Sequence, residues 1–259
     1  MSLPRERISA AIRAAASKSR PALVGYLTAG FPTLEKFKDS LSEVARFCDV
    51  VEIGVPFSDP MADGTTVQRA SFVALQNGVT LPWILDELKS APRQDAPILL
   101  MSYLNPLLAY GLDKLPRDAA AAGVAGFIVP DLPFEESGEL NLALETQGLA
   151  LVQMVTPVTP AERLAMLCRE AKGFVYAVTM TGTTGKSAEV PPDVLEYMDR
   201  VRSVSGVPVC AGFGIRSHAQ VARFAPHVDG VVVGSALVEV LEKGEDVGAF
   251  LQSLRQGLA

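Results

Sequence analysis

The sequence predicts an α/β fold, a single-domain (β/α)8 barrel of parallel strands with helices between them. The chain has 259 residues, a length at which such barrels commonly form one domain. Apolar runs of strand length recur eight times, and segments with helical spacing separate them. No linker or shift in composition interrupts this series, so we expect one domain over residues 1–259. An open doubly wound sheet is the alternative, and near-continuous apolar strands favour the barrel over it.

The predicted elements begin with a helical segment, 5–16, which we expect to pack across one end of the barrel. The eight predicted strands are 22–28, 50–55, 98–103, 126–130, 150–155, 174–179, 207–212 and 230–234. The predicted helices that separate and follow them are 34–47, 81–90, 112–122, 135–147, 160–171, 192–204, 218–224 and 247–258. A strand, a helix and a further parallel strand in succession imply right-handed βαβ units.

Composition and charge exclude several classes of protein. The net charge of −6, with acidic and basic residues interspersed, argues against nucleic-acid binding. No apolar run approaches the about 20 residues of a membrane-spanning helix, and the amino terminus does not resemble a secretory signal. The widely spaced Cys48, Cys168 and Cys210 lie in apolar surroundings, which is typical of buried, reduced thiols in a cytoplasmic protein. Neither histidine lies at ligand spacing from a cysteine or carboxylate, so we expect no metal.

A lone carboxylate interrupts the second predicted strand. Glu52 shares one face of that strand with Val50 and Gly54, and the opposite face is entirely aliphatic. The aliphatic face suits contact with helices, so we expect Glu52 to face the barrel interior. An ionised carboxylate is costly to bury without a partner or a pKa shift, and Gly54 leaves space beside it. A structural ion pair is the alternative.

The loop that follows this strand carries two more acids. Pro56 and Pro60 fix their own backbone and restrict the residue before each, so Asp59 and Asp63 lie on a stiff loop. In a barrel this loop belongs to the carboxyl ends of the strands, where active sites lie. The alternative is that both aspartates are ordinary turn formers.

Glycine-rich turns follow the last two predicted strands. One contains Gly214, and the other, Gly234-Ser235, leads into a short apolar helix. Loops at these two places, with the amino terminus of an extra helix, form the recurrent phosphate site of such barrels. Ser235 suits the N-cap position of that helix. Plain turn chemistry is the alternative, and the two positions together favour a phosphorylated small-molecule substrate.

These residues together resemble the tryptophan synthase α subunit family. The thirteen residues from Glu52 to Gly64, EIGVPFSDPMADG, are similar to its signature. Other similar stretches, which span nearly the whole chain in the family's order, are 26–32, 101–106, 129–133, 181–185, 212–215 and 234–235. The resemblance implies a TIM barrel that cleaves indole-3-glycerol phosphate to indole and glyceraldehyde 3-phosphate. It implies a retro-aldol reaction without a metal or organic cofactor in this subunit.

The resemblance also implies roles for individual residues. Glu52 is implied as the general acid/base and Asp63 as the carboxylate that hydrogen-bonds the indole N–H. The implied substrate-binding residues are Tyr26, Tyr103, Tyr176, Thr184 and Phe213, and the implied phosphate-binding residues are Gly185, Gly214, Gly234 and Ser235. The implied partner is a pyridoxal-phosphate β subunit in an α2β2 complex. Its implied interface includes Pro56, Asp59, Asn105 and Pro133. The alternative is that these residues only shape their loops.

Two positions depart from the family pattern. Thr65 stands where proline is usual, so we expect a looser loop, and Met180 stands where some relatives carry arginine. Three rival interpretations remain. A stand-alone lyase shares the catalytic pair, an epimerase needs metal ligands of its own, and a non-catalytic barrel acts only as an allosteric partner.

Overall fold

Parallel strands arranged side by side form the centre of the molecule. The computed structural model describes residues 2–18, 20–179, 191–212 and 214–257. In that part of the chain the strands are β1 Ala22–Thr28, β2 Val50–Gly54, β3 Ile98–Met101, β4 Val124–Ile128, β5 Ala150–Leu151, β6 Gln153–Val155, β7 Val175–Val178, β8 Val209–Gly212 and β9 Gly230–Val233. Their spatial order is β5-β4-β3-β2-β1-β9-β8-β7-β6, and every recorded pairing is parallel.

Helices connect the strands and surround them. Within the same described residues they are α1 Pro4–Ala16, α2 Phe37–Phe47, α3 Thr65–Gln76, α4 Leu81–Ser90, α5 Leu104–Tyr110, α6 Leu115–Ala121, α7 Gly138–Glu145, α8 Ala161–Glu170, α9 Pro192–Val204, α10 His218–Phe224, α11 Ser235–Lys243 and α12 Val247–Arg255. A short 3-10 helix, Phe134–Glu136, precedes α7. The regular alternation of strand and helix confirms the predicted α/β class.

The barrel nearly closes because one chain segment changes its strand partner midway. β5 pairs with β4, whereas β6 pairs with β7. Only Val152 separates β5 from β6, and its backbone N–H donates to the carbonyl of Phe127 in β4 at 2.9 Å. The predicted fifth strand, 150–155, is therefore one segment that leaves β4 and joins β7. This arrangement confirms the predicted (β/α)8 barrel as a single α/β domain.

Two apolar layers lie on the two faces of the strands. Val51 and Ile53 point outward into a layer that they share with the helices. Val24, Leu99 and other inward-facing residues form a second layer inside the barrel. Because side chains alternate along a strand, Glu52 must face this interior, as the sequence predicts.

Helix α1 closes the amino-terminal end of the barrel. Ile8 and Ile12 are fully buried and join the interior layer. The Ser9 hydroxyl donates to the carbonyl of Gly173, which lies just before β7. The expectation of an extra helix packed across one end is confirmed.

Two helices, α3 and α5, are absent from the sequence prediction. No side chain caps α3 in the described chain, and its inward residues Val67 and Ala70 are buried in the interior layer. In α5 the first backbone N–H, that of Leu104, donates to Asp131 on the loop after β4 at 3.0 Å. Both helices therefore rely on tertiary contacts that local sequence does not reveal.

The cysteines agree with the prediction, since Cys48, Cys168 and Cys210 are buried and form no disulfide. Among the residues described, no helix is long and apolar enough to cross a membrane. Over the same residues, no group of three or more His, Cys, Asp or Glu side chains is arranged to hold a metal ion.

Two aspartates, each placed just before a strand, form hydrogen bonds that hold the amino-terminal ends of the strands together. Asp49 precedes β2 and accepts a hydrogen bond from the backbone N–H of Leu23 in β1 at 2.9 Å. It also accepts two from Arg20 at 2.9 Å each, and a further one from Arg255 in α12. Asp229 precedes β9 and likewise accepts the first backbone N–H of β8 at 2.8 Å. Asp49 thereby joins two strands to the last helix.

Asp49→Ala is expected to lower the free energy of unfolding by about 3 kcal/mol, because it leaves two partly buried arginines without their acceptor. Urea unfolding followed by circular dichroism measures this change. The control is Asp86→Ala, whose carboxylate is exposed and pairs with Lys89 on α4, and it should change stability by less than about 0.5 kcal/mol. Equal stabilities of the two variants would contradict a bracing role for Asp49.

Candidate active site

A cavity of about 490 Å³ lies at the carboxyl ends of the strands. Its walls come from the strands, from the loops that follow them and from the first turns of α3 and α11. It brings together both predicted catalytic carboxyls, two of the predicted substrate-binding tyrosines and three of the predicted phosphate-binding residues: Glu52, Asp63, Tyr26, Tyr176, Gly214, Gly234 and Ser235. Residues that are far apart in the sequence therefore meet in one site.

Glu52 is a buried acid that keeps its proton. Only 1 % of its surface is exposed, and its Oε2 atom has no hydrogen-bond partner among the residues that the structure describes. Burial raises the pKa of Glu52 to about 8, and the neighbouring charge of Asp63 adds to the increase. No recorded ion pair within the described chain involves Glu52, so a structural ion pair does not explain its presence here. A protonated carboxyl in a cavity is suited to donate a proton to a ligand.

Asp63 is held in place by a tyrosine from the next strand. The hydroxyl of Tyr103, just beyond β3, donates to Asp63 Oδ2 at 3.2 Å and accepts from the backbone N–H of Ala62 at 2.9 Å. Burial raises the pKa of Asp63 to about 6, and the Tyr103 hydrogen bond opposes that increase. Asp63 is therefore mostly ionised at neutral pH. The two carboxyls of one cavity thus carry different charges.

The loop that carries Asp63 is anchored although proline is absent at position 65. Thr65 is exposed in the first helical turn, a place where proline is favoured. The Gln68 side chain donates to the carbonyl of Asp63 at 2.9 Å and to that of Pro60 at 3.3 Å. These two hydrogen bonds hold the segment that we expected to be loose.

Two glycines make room for two tyrosines that line the cavity. A Cβ atom added at Gly54 would lie 2.1 Å from the Tyr26 hydroxyl, and one added at Gly212 would lie 2.2 Å from the Tyr176 ring. Each tyrosine therefore lies across the neighbouring strand. The Tyr26 hydroxyl also lies 3.3 Å from Thr28 Oγ1. The space beside Glu52 that the sequence indicated is thus filled by the Tyr26 side chain.

The two glycine-rich turns meet at the α11 end of the cavity. Gly234 occupies the N-cap position of α11 and Ser235 is the first helical residue, so the expectation that Ser235 is the N-cap is wrong. No side chain caps this helix end in the described chain. The first backbone N–H groups of a helix lack intrahelical acceptors, so this end offers donors and a positive dipole to an anion. Gly214 has a φ of 80°, which favours glycine.

Four positions singled out in the sequence lie outside the described residues. They are Met180, Thr184, Gly185 and Phe213. Their predicted contributions therefore remain predictions from the sequence.

Three of the exposed large apolar side chains lie on segments that directly follow strands, at the cavity end of the barrel. Met61 after β2, Leu108 in α5 and Val158 after β6 are 75 %, 49 % and 74 % exposed. Three of the four residues predicted to face a partner are exposed and one is buried: Asp59, Asn105 and Pro133 are exposed, and Pro56 is buried. Pro56 can therefore affect a partner only through the shape of its loop.

The sequence patterns did not predict three polar residues of the cavity, which are Thr66, Arg216 and Glu239. Glu239 on α11 accepts from Arg216 Nη2 at 2.5 Å and from Thr66 Oγ1 at 3.2 Å. Two signals were available: Arg216 follows the glycine turn after β8, and Glu239 lies one helical turn after Ser235 and so on the same helix face. Neither signal identifies the contact, because the three residues come from different elements.

Comparison with known proteins identifies the family of the chain. The family model described as "Tryptophan synthase alpha chain" matches residues 12–256. A tryptophan synthase alpha chain from Desulfovibrio desulfuricans is 48 % identical over 246 residues, which cover 93 % of this chain and 96 % of that protein. Tryptophan synthase subunit alpha from Legionella pneumophila superposes with a TM-score of 0.88 at 32 % identity, covering 97 % of this chain and 98 % of that one. A chain of the tryptophan synthase a2b2 complex from Pyrococcus furiosus gives 0.83 at 35 % identity, covering 91 % and 96 %. The chain therefore belongs to the tryptophan synthase alpha chain family.

Proposed function

We propose that Glu52 and Asp63 divide the chemistry by which this tryptophan synthase alpha chain, a carbon–carbon lyase, cleaves indole-3-glycerol phosphate to indole and glyceraldehyde 3-phosphate. The observation that carries this assignment is the difference between two carboxyls in one cavity. Glu52 is protonated at neutral pH and has an oxygen without a partner among the described residues, whereas Asp63 is ionised. Two such groups can serve as acid and as electrostatic stabiliser in the same step.

In the first step Glu52 donates its proton to C3 of the indole ring. Protonation places positive charge on the ring nitrogen, and the Asp63 carboxylate accepts a hydrogen bond from that N–H and stabilises the charge. Tyr103 acts on this step indirectly, since its hydroxyl holds the Asp63 carboxylate. Both interactions are strongest when the ring is charged, so they favour the reaction over binding alone.

In the second step the bond between C3 and the glycerol side chain breaks. Its electron pair returns to the ring and restores neutral indole, while the side-chain hydroxyl loses a proton and becomes the aldehyde of glyceraldehyde 3-phosphate. Glu52, now a carboxylate, accepts that proton and returns to its starting form. Proton transfer balances the whole cycle, so the reaction needs no metal or organic cofactor in this subunit.

The remaining site residues bind the substrate. Tyr26 and Tyr176 line the cavity together with Glu52 and bind the indole. The same role for Phe213 and Thr184, which lie outside the described residues, rests on the sequence alone. The phosphate group binds to Gly214 and to Gly234 and Ser235 at the start of α11, and the assignment of Gly185 to the same group rests on the sequence alone. Free backbone donors and the helix dipole bind a dianion there without a lysine.

We also infer that the chain works in the cytoplasm with a β subunit that carries pyridoxal phosphate, as an α2β2 complex. The exposed Met61 and Leu108 support the inferred β subunit, because they lie at the same end of the barrel as the cavity. They accompany Asp59 and Asn105 on the same two segments. Large exposed apolar side chains grouped at one end of a protein mark an interaction surface.

The test is indole release from indole-3-glycerol phosphate by the wild-type chain and by Glu52→Gln, each alone and with a cognate β subunit. Glu52→Gln should lose about 10²- to 10⁴-fold in kcat, the usual contribution of a positioned acid/base. Near-wild-type turnover in this variant would contradict the mechanism. Wild-type turnover that is slow alone and rises with β supports the coupled complex. Fast turnover that β leaves unchanged indicates a stand-alone lyase, and no turnover in either case indicates a non-catalytic barrel.

Stability measurements show whether Glu52→Gln keeps its fold. The folded pKa of Glu52 is raised from 4.5 to about 8, so the wild-type chain loses stability as pH rises between those values. Glutamine does not titrate. The free energy of unfolding of the variant, relative to wild type, should therefore increase across that range, and a folded variant with this behaviour isolates the catalytic defect.

The dependence of kcat/KM on pH should be bell-shaped. Activity rises as Asp63 ionises, with a pKa of about 6, and falls as Glu52 loses its proton, with a pKa of about 8. Asp63→Asn should lower kcat more than it weakens binding and should remove the acidic limb. It should also shift the basic limb to lower pH, because the Asp63 charge is one cause of the raised pKa of Glu52. A purely weakened affinity, with both limbs unchanged, would refute the role of Asp63.

Met61→Glu should abolish co-elution with the β subunit on size-exclusion chromatography, because it would bury a charge in the interface. Indole release by the isolated chain should stay close to that of wild type. Leu142→Glu is the matched control, since Leu142 is 67 % exposed on α7 and is not among the residues predicted to face the partner. If both variants co-elute with β, Met61 lies outside the interface.

A further inference from the structure

The charges around the cavity do not suit a phosphate dianion unless one cation offsets them. Three carboxyl side chains line the cavity, and two of them, those of Asp63 and Glu239, are ionised at neutral pH, whereas Glu52 keeps its proton. Arg216 is the only cationic side chain among the described residues that line it. Arg216 and Glu239 both lie at the same end as Ser235, where the phosphate group is proposed to bind.

Arg216 is fixed at the edge of this end by its neighbours. Its backbone N–H donates to Gln220 Oε1 at 2.8 Å, and Ser217, the next residue, is the N-cap of α10. Its guanidinium donates through Nη2 to Glu239 at 2.5 Å. This hydrogen bond lowers the pKa of Glu239, so the carboxylate is ionised at neutral pH.

Glu239 is an unfavourable neighbour for an anion. It lies one turn after Ser235 on α11, so its carboxylate is on the same helix face as the helix start that offers N–H donors. Like charges at short range repel, and a phosphate bound to the first turn would meet this carboxylate. Arg216 pairs with Glu239 and adds four further N–H donors at the edge of the cavity.

We propose that Arg216 is a further substrate-binding residue, whose guanidinium neutralises Glu239 and attracts the phosphate group at the start of α11. The proposal rests on the proposed function, since it assigns a residue to the same substrate. Arg216 acts on binding and not on the carbon–carbon bond, because its recorded contacts among the described residues are with Gln220 and Glu239 and not with Glu52 or Asp63. Glu239 then weakens phosphate binding, so the two members of one ion pair affect affinity in opposite directions.

Arg216→Gln should raise KM for indole-3-glycerol phosphate roughly fivefold with kcat nearly unchanged, the size expected for a half-exposed ionic contact. Glu239→Gln should lower KM. If Glu239 instead served only to hold the site in shape, Glu239→Gln would raise KM, because the loss of its carboxylate would release both Arg216 and Thr66. The control is Arg69→Gln. This change breaks the ion pair between Arg69 on α3 and Glu242 on α11, and neither residue lines the cavity.

Calorimetry with glycerol 3-phosphate separates this proposal from the proposed function, because it needs no turnover. The dissociation constant should rise in Arg216→Gln and fall in Glu239→Gln, and both changes should shrink at high salt. The proposal is overturned if Arg216→Gln behaves like Arg69→Gln, if both members of the pair weaken binding, or if the wild-type chain does not bind glycerol 3-phosphate. Wild-type binding without indole release would refute the proposed function alone.

Discussion

The active site depends on the free-energy cost of burying an ionised carboxyl group inside the barrel. Glu52 points into the barrel interior, and burial raises its pKa to about 8. Burial also raises the pKa of Asp63, on the loop that follows, but only to about 6, and a hydrogen bond from the Tyr103 hydroxyl opposes this increase. One desolvated acid and one supported carboxylate thus share a cavity. Neither would differ from the other in water, where glutamate and aspartate have similar pKa values.

The scaffold keeps this site intact through contacts at the opposite end. Helix α1 fills the amino-terminal opening, and Asp49 links the starts of the first strands to the last helix. Ion pairs at that end can stay formed throughout the reaction, because the substrate and the products pass only through the opposite end. At the carboxyl end, Gly54 and Gly212 have no side chain, and the space beside them is occupied by the tyrosine side chains that shape the cavity. Stability and chemistry therefore occupy different ends of one barrel.

The cavity lining carries groups of different charge. Glu52 and Asp63 line it together with the start of α11 and Arg216. In the proposed reaction the two carboxyls act on an aromatic ring that becomes positively charged, and the helix start with Arg216 binds a phosphate dianion. A substrate with both groups then has one productive orientation, which these charges favour before any proton moves.

The sequence by itself determined the barrel, the inward direction of Glu52 and the acidic loop. These features follow from local rules: apolar strand patterns, alternation of side chains and proline geometry. Tertiary structure alone decided α3, α5, the partner exchange at Val152 and the contact of Arg216 with Glu239. Each of these depends on residues distant in the chain that meet only when the barrel closes. Helix stability from packing and pKa shifts from burial are properties of that closed interior, and no local pattern encodes them.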